Sequence, residues 1–199
     1  MPGSIRLLLL GALFVSVCSC AENRRQQPIA KDGIIDLSDW DFEKDGTVEL
    51  KGEWRFVWEE FVEPMPSEVF REKYKGTIEV PKFWNGQAHP SKPGEVLPGQ
   101  GYATYALQIN RPAERDWRTL AISNVDSYLA GLWRVYSADG TKELGQMRQG
   151  VAGTSLNASI PTKVFATTGI ATGAEDSVVL MVYLSNFRSV NAGIRYGCK

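Results

Sequence analysis

The stretch Thr47–Trp58, TVELKGEWRFVW, decides the fold class. Apolar side chains recur in it at every second position, so Trp54, Phe56 and Trp58 share one face of an extended strand. Gly52 interrupts the alternation, which predicts a bulge or a bend. The three aromatic residues could form a platform that stacks on a sugar, but their alternation with other side chains favours packing in a core.

Further strands are predicted on both sides of this stretch, separated by turn signals such as the Asp-Gly pairs. They lie at 33–37, 77–84, 102–110, 117–125, 128–137 and 177–185, and the last is a nearly continuous apolar run typical of a buried strand. One short helix is predicted over 67–74, with Ser67 as its N-cap. Residues 141–162 allow no assignment. The pattern therefore predicts an all-β sandwich with seven to nine strands and one short helix.

Composition and charge narrow the class of partner. The chain has 199 residues, of which 43% are hydrophobic and 11% aromatic, enough for the core of one domain. Its 22 basic and 23 acidic residues give a net charge of −1. Because binding to phosphates needs clustered positive charge, this balance argues against nucleic acid as a partner.

The first 20 residues are predicted to be a lipoprotein signal peptide. Arg6 precedes the apolar run 7–17, LLLLGALFVSV, which is too short to span a bilayer. The run leads to Ser19 and Cys20, a small residue before a cysteine, as at bacterial lipidation sites. The sequence predicts lipidation at Cys20, and hence an exported protein anchored in the outer membrane or at the periplasmic face of the envelope. Cleavage before Cys18, plain secretion and an uncleaved anchor are the alternatives.

The residues after the signal peptide divide into a linker and a domain. Residues 21–32 are polar and without periodicity, which predicts a tether, and residues 33–199 form the predicted domain. If Cys20 is lipidated, Cys198 has no partner within the mature chain. The sequence therefore predicts neither a disulfide framework nor a metal site built on cysteine and histidine.

Four segments, in this order, resemble a known extracellular module. They are GIIDLSDWDFEKDGTVELKGEWRFVWEEFVEP (33–64), VPKFWN (80–85), GQGYATYALQI (99–109) and LSNFRSVNAGI (184–194). They are similar to the type 2 extracellular domain of the seven-transmembrane receptors with diverse intracellular signalling modules. The resemblance implies a galactose-binding-like jelly roll that binds carbohydrate or another small ligand as a sensor. In that family seven membrane helices follow the domain, and whether this chain is a free-standing lipoprotein or part of a receptor stays open.

A long loop at 85–101, NGQAHPSKPGEVLPGQG, is the first candidate for a binding site, since loops of this length often serve binding. In this interpretation Trp84 stacks on a sugar ring, while Asn85 and His89 donate and accept hydrogen bonds with its hydroxyls. The alternative is a structural tryptophan, a turn asparagine and a solvent-exposed histidine.

Two further groups of residues are candidates. Tyr102 and Tyr105 lie on opposite faces of one strand, so Tyr105 belongs in the core if Tyr102 lines a pocket. Asn186, Arg188 and Asn191 follow the last buried strand, and their side chains suit vicinal hydroxyls or a carboxylate. Hydrogen bonds that close the loop are the alternative role for these three.

The sequence contains no signature of catalysis. His89 is the one histidine, and no triad signature, HExxH, P-loop or GxSxG motif is present. We therefore expect no catalytic residue, no metal and no cofactor. The predicted function is a ligand-binding sensory module. The alternatives are a structural protein that docks on another envelope protein, such as a separate membrane receptor, and a fragment of a carbohydrate-active enzyme.

Overall fold

The structure is a computed structural model that describes residues 25–111, 119–122, 129–162, 168–171 and 175–194. These residues fold as an all-β sandwich with one short helix, which confirms the predicted fold class. Cys18, Cys20 and Cys198, with the whole predicted signal peptide, lie outside the described residues. In chain order the elements are β1 (Ile34–Asp36), β2 (Gly52–Trp58), α1 (Ser67–Lys73), β3 (Thr77–Val80), β4 (Gly101–Asn110), β5 (Thr119–Ile122), β6 (Ala130–Ser137), β7 (Glu143–Gln149), β8 (Thr168–Ala171) and β9 (Ser177–Asn186).

Seven strands form one large sheet. Its order is β3-β2-β4-β9-β6-β7, and every neighbouring pair in that order is antiparallel. The short strand β1 pairs in parallel with the last three residues of β4. A separate two-stranded sheet joins β5 to β8. The long strands β4 and β9 pair along their full length, from Gly101 opposite Asn186 to Asn110 opposite Ser177, and form the centre of the domain.

The large sheet is apolar on both faces because its central strands carry apolar side chains at both odd and even positions. One face bears the main core, which also takes in Ile170 of β8 and residues of the connecting segments. The largest side chains in it are fully or almost fully buried: Trp54, Trp84, Trp133, Tyr105 and Phe56. The opposite face bears a smaller cluster covered by α1 and by the segment 61–65. Burial on both faces explains why the 177–185 run has no polar alternation.

Several sequence predictions need correction. The strand predicted over 47–58 begins only at Gly52, whose φ of +117° favours glycine and bends the chain. Ser67 does not cap the helix, because Pro66 occupies the N-cap position and no side chain bonds to the first turn. Instead the backbone N–H of Ser67 donates to the carbonyl of Ala138 in a neighbouring turn. Strands β7 and β8 were not predicted.

The packed part of the chain begins before Gly33. Ala30 is buried and forms a parallel bridge with Gly52, and Gln27 donates to the carbonyl of Thr47. Arg25 lies over the ring of Trp40 at 5.6 Å and donates to the carbonyl of Asp39. Residues 25–32, assigned to a tether from their polarity, therefore lie against the domain, and the predicted boundary is too late in the chain.

The two ends of the large sheet differ. Ala30 and Gly52 lie at the end where β4 finishes, which we call the N-terminal end. At the opposite end, which we call the loop end, β4 begins, β9 finishes and β6 begins. Ten residues of β4 separate the two ends by about 30 Å at the usual rise of an extended strand.

Candidate functional site

The structure brings together two of the three groups of predicted site residues. Trp84 and residues of the 85–101 loop meet residues 186–194 at the loop end through four hydrogen bonds. The side-chain nitrogen of Asn85 donates to the side-chain oxygen of Asn191 (3.2 Å), and the backbone N–H of Ala192 donates to the side-chain oxygen of Asn85 (3.4 Å). The backbone N–H of Trp84 donates to the carbonyl of Ala192, and Asn186 donates to the carbonyl of Gly99.

Trp84 lies in the core and not on a binding surface. Its side chain is 0% exposed, and its ring meets that of Trp58 edge-on, with the centroids 5.3 Å apart. Its indole N–H donates to the carbonyl of Gly99 at 3.2 Å, which holds the far end of the long loop on the core. The predicted stacking on a sugar does not fit this placement. The structural alternative does.

Asn186 has a structural role as well. It is 0% exposed, and its side-chain nitrogen donates to the carbonyls of Gly99 (2.8 Å) and Ser189 (2.7 Å). Its side-chain oxygen accepts from the backbone N–H groups of Arg188 and Ser189. Both the nitrogen and the oxygen of the Asn186 side chain are therefore used in hydrogen bonds to neighbouring backbone groups, as in the loop-closing alternative. Arg188 and Asn191 are exposed on the surface above it.

Tyr102 and Tyr105 lie on opposite faces of β4, as predicted. Tyr105 is 1% exposed in the main core, where burial raises the pKa of its hydroxyl. Tyr102 is half-buried on the other face, where the ring of Phe61 meets it edge-on at 5.1 Å. The structure therefore places Tyr102 on the far side of the sheet from Trp84.

A polar cleft of about 360 Å³ lies at the free edge of β2, between the end of the helix and the long loop. We call it the helix-end cleft. Its walls come from the second half of β2, from residues 73–76 and from the long loop. The lining residues that carry side-chain chemistry are Trp58, Glu60, Lys73, Tyr74, Lys75, Pro90 and Ser91. The backbone of Ser91 donates to Nδ1 of His89 at 3.1 Å, so the predicted site residue His89 orients one wall.

A chain of polar contacts runs along this cleft. The hydroxyl of Tyr74 donates to the carboxylate of Glu60 at 2.7 Å, and the ammonium of Lys73 lies 4.9 Å from the centre of the Tyr74 ring. Burial, followed by the bond to Glu60, raises the pKa of Tyr74. A hydrogen bond to Tyr74 raises the pKa of Lys73. At neutral pH Tyr74 is therefore a neutral phenol and Lys73 an ammonium, and both line the cleft together with Glu60.

The backbone of β2 adds two more polar groups. Pairing between β2 and β3 ends at Arg55 opposite Thr77, and the N–H of Phe56 donates to Gly76 on that same side. The N–H of Glu59 points to the other side, where it donates to Tyr102 of β4. Because backbone groups alternate along a strand, the N–H and C=O of Trp58 point towards the cleft. The cleft therefore offers backbone donors and acceptors beside its charged side chains.

Sequence reasoning found one wall of this cleft and missed the rest. The long loop was correctly singled out by its length and its glycines and prolines. Glu60, Lys73 and Tyr74 carried no signal, because they come from an irregular segment and a helix end that meet only in the folded chain. The free edge of β2 could not be predicted either, since the sequence does not show where pairing with β3 stops.

Comparisons with known proteins leave the family open. No family model and no curated protein matches this chain. Within the residues that the structure describes, no helix is long and apolar enough to cross a membrane. The same residues include no group of three or more His, Cys, Asp or Glu side chains arranged to hold a metal ion.

Proposed function

We propose that this domain is a sensory module that binds a small neutral or acidic carbohydrate in the helix-end cleft and does not transform it. The observation that carries the proposal is the cleft itself, in which aromatic, carboxylate, ammonium and backbone groups line one space. Its volume of about 360 Å³ falls within the range of about 300–1,000 Å³ that is common for small-molecule sites.

The chemistry of the lining suits a sugar. Hydroxyls both donate and accept hydrogen bonds, and the cleft offers Glu60 as an acceptor and Lys73 and Lys75 as donors. Trp58 and Pro90 supply apolar surface for the C–H face of a ring. Two ammonium groups against one carboxylate leave a charge of +1, which favours neutral and acidic sugars over cationic ones.

The same lining supports binding over hydrolysis. Glycosidases ordinarily place two carboxyl groups on either side of the bond that they cleave, about 5–9.5 Å apart. Among the described residues that line the cleft, Glu60 alone carries a carboxylate. The cleft therefore lacks, within that part of the chain, the pair that either hydrolytic mechanism requires.

We further propose that the domain is exported and anchored through a lipid on Cys20, as its first 20 residues predict. The chain enters the domain at the N-terminal end of the large sheet, where Ala30 pairs with Gly52. A lipid on Cys20 would therefore turn the loop end away from the bilayer, towards the surrounding solution. The resemblance to receptor extracellular domains with a galactose-binding-like jelly roll accords with export of the domain.

Replacing the proposed lipidated residue tests the anchor. Cys20→Ser is expected to abolish incorporation of labelled palmitate and to move the protein from the detergent phase to the aqueous phase in a phase-separation assay, because no acyl chains are attached. Cys198→Ser is the matched control and should retain both the label and the partitioning. Label that persists in Cys20→Ser but is lost in Cys18→Ser would place the lipid at the other cysteine. A protein that carries no label in any form would contradict the anchor.

Substitutions in the cleft test the ligand. The full chain is titrated by calorimetry with a panel of neutral hexoses, disaccharides and uronic acids. For any sugar that binds, Glu60→Gln and Lys73→Ala should each weaken the affinity about tenfold, since each removes a charge-assisted hydrogen bond. Lys31→Ala is the matched control, because Lys31 is exposed at the N-terminal end, and it should bind like the parent. Equal affinity in all three variants, or no binding across the panel, would contradict the proposed site.

A second function, docking on a separate envelope receptor, is favoured by one observation. Apolar side chains are exposed on loops around the loop end, with Val190 at 78% and Val96 at 63%. Val151 and Ile160, which form a bridge in a third loop, are also exposed. Crosslinking in intact cells from a residue beside Val190 would capture one envelope protein if the domain docks, and none if it only binds a sugar.

A further inference from the structure

A second cleft, separate from the helix-end cleft, lies on the face of the large sheet that α1 covers. Its volume is about 160 Å³, and no described residue lines both clefts. The segment 61–63 forms one wall, and side chains of β6 and β9 form the floor. We call it the sheet-face cleft. Most of its described lining is aromatic or aliphatic: Phe61, Val62, Leu132, Ala152 and Tyr183.

The wall of this cleft is tied to the sheet by hydrogen bonds. The hydroxyl of Tyr183 donates to the carbonyl of Val62 at 2.9 Å, and the backbone N–H of Val62 donates to the side-chain oxygen of Thr104 at 3.0 Å. The rings of Phe61 and Tyr183 meet edge-on, with their centroids 5.7 Å apart. The wall and the floor therefore hold their relative positions through contacts within the domain.

The positive charge in the lining is already compensated. Arg134 is the one cation among the described lining residues. Its Nε donates to the carboxylate of Glu143 at 3.0 Å, and its Nη2 donates to the same oxygen. An anionic ligand would therefore have to compete with Glu143 for this guanidinium.

The negative charge in the lining has no such partner. Glu63 lines the cleft and is exposed, and its carboxylate makes no hydrogen bond or ion pair with the residues that the structure describes. Its charge nevertheless acts on the floor of the cleft. Burial raises the pKa of the Tyr183 hydroxyl, and Glu63 adds to that rise while Arg134 opposes it. With Arg134 paired to Glu143, the charge that remains for a ligand is the carboxylate of Glu63.

The size of the cleft limits what it can hold. A volume of about 160 Å³ lies below the range of about 300–1,000 Å³ that is usual for sites of drug-sized ligands. The cleft therefore suits a body no larger than one ring or one branched chain. Phe61, Leu132 and Ala152 are half-buried, so they offer apolar surface that solvent and a ligand can reach.

We propose that the sheet-face cleft binds a small organic cation, an ammonium group on one aromatic ring or one branched aliphatic chain, with Glu63 as its counter-ion. The carboxylate of Glu63 accepts a charge-assisted hydrogen bond from the ammonium group. The apolar body contacts the side chains of Phe61 and Leu132 and leaves water on binding. This site differs in place and in charge preference from the proposed sugar site, and either can exist without the other.

Three probes test the proposal on the full chain by saturation-transfer NMR and titration. Benzylamine carries the cation and the ring at neutral pH, benzyl alcohol has the ring without the charge, and methylamine has the charge without the ring. Because Glu63 is exposed, its ion pair is partly screened by water, so we expect benzylamine to bind about fivefold more tightly than benzyl alcohol. Added salt should reduce this difference, and methylamine should not bind measurably.

Each probe can contradict one part of the proposal. Equal affinity for benzyl alcohol and benzylamine would overturn the assignment to a cation. Methylamine bound as tightly as benzylamine would overturn the role of the apolar lining, and no binding of benzylamine would overturn the site.

Two variants locate the probe. Glu63→Gln keeps the shape of the side chain and removes its charge, so benzylamine affinity should fall about fivefold to that of benzyl alcohol. Ala152→Phe places a large ring in the cleft and should abolish the binding of both, with circular dichroism to show that the variant is folded. Glu68→Gln is the matched control, because Glu68 is an exposed carboxylate that does not line the cleft. It should bind benzylamine like the parent.

The variants also separate the cleft from the role of Glu63. Affinity that is lost in Ala152→Phe but unchanged in Glu63→Gln would overturn Glu63 as the counter-ion. Unchanged benzylamine affinity in both variants would show that the probe binds elsewhere, and would overturn the site.

Discussion

Trp84→Ala is expected to lower the free energy of unfolding by about 3–5 kcal/mol, the usual cost of truncating a large buried aromatic side chain. The ring is 0% exposed and contacts Trp58, so its removal leaves a cavity in the main core. The bond from its indole N–H to Gly99 is lost as well, and with it the attachment of the long loop. Urea unfolding of the full chain, followed by circular dichroism, measures the change.

Trp84→Phe separates packing from hydrogen bonding. It retains most of the ring volume, so we expect a loss smaller than that of Trp84→Ala, and part of it, about 1 kcal/mol, comes from the bond to Gly99. If Trp84 were an exposed stacking residue instead, both variants would unfold within about 0.5 kcal/mol of the parent, as surface substitutions do. That result would return Trp84 to the ligand site.

Asn186→Ala is expected to lower the free energy of unfolding by about 2–4 kcal/mol. The substitution removes four hydrogen bonds and leaves the carbonyl of Gly99 without this donor beneath the loop end. The Asn186 side chain is bonded both to Gly99 of the long loop and to Arg188 and Ser189. Amide exchange should therefore become faster in the long loop and in the segment after Asn186 together. Thermal unfolding gives the stability, and hydrogen–deuterium exchange gives the location.

Asn191→Ala is the matched control for this effect. Asn191 is exposed, and its side chain accepts one bond, from Asn85 at 3.2 Å. Its removal should change the free energy of unfolding by less than about 1 kcal/mol, because water replaces the lost partner. If Asn191→Ala lowered the free energy of unfolding as much as Asn186→Ala, the structural role of the buried Asn186 side chain at the junction of the two segments would be contradicted.

The fold class was predictable because the side chains along the central strands either alternate between apolar and polar or are apolar throughout. Trp54 and Phe56 of β2 and the 177–185 run of β9 carried most of that signal, and the structure buries them as expected. Strand β7, with the sequence ELGQMRQ, carried little signal. It lies at the edge of the large sheet and is exposed along much of its length, so it needs few apolar or β-branched residues.

For the candidate site residues, the sequence indicated which segments carry them but not which side chains face a ligand. The 85–101 loop and residues 186–191 do meet, but Trp84 and Asn186 turn inwards. Sequence shows that a tryptophan or an asparagine lies near a loop, and only the fold shows which side of the sheet it faces. The helix-end cleft combines Glu60, Tyr74 and Ser91, which are 14 and 17 residues apart, without periodicity to connect them.

The proposed function depends on where a ligand contacts the domain, and backbone amide shift mapping by NMR measures that contact directly. The full chain, isotope-labelled, is titrated with the sugar that binds most tightly in the calorimetric panel. We predict that the largest shifts fall on Trp58, Tyr74 and Ser91, around the helix-end cleft. Shifts concentrated instead on Arg188 and Asn191 at the loop end, or no shift with any sugar of the panel, would contradict it.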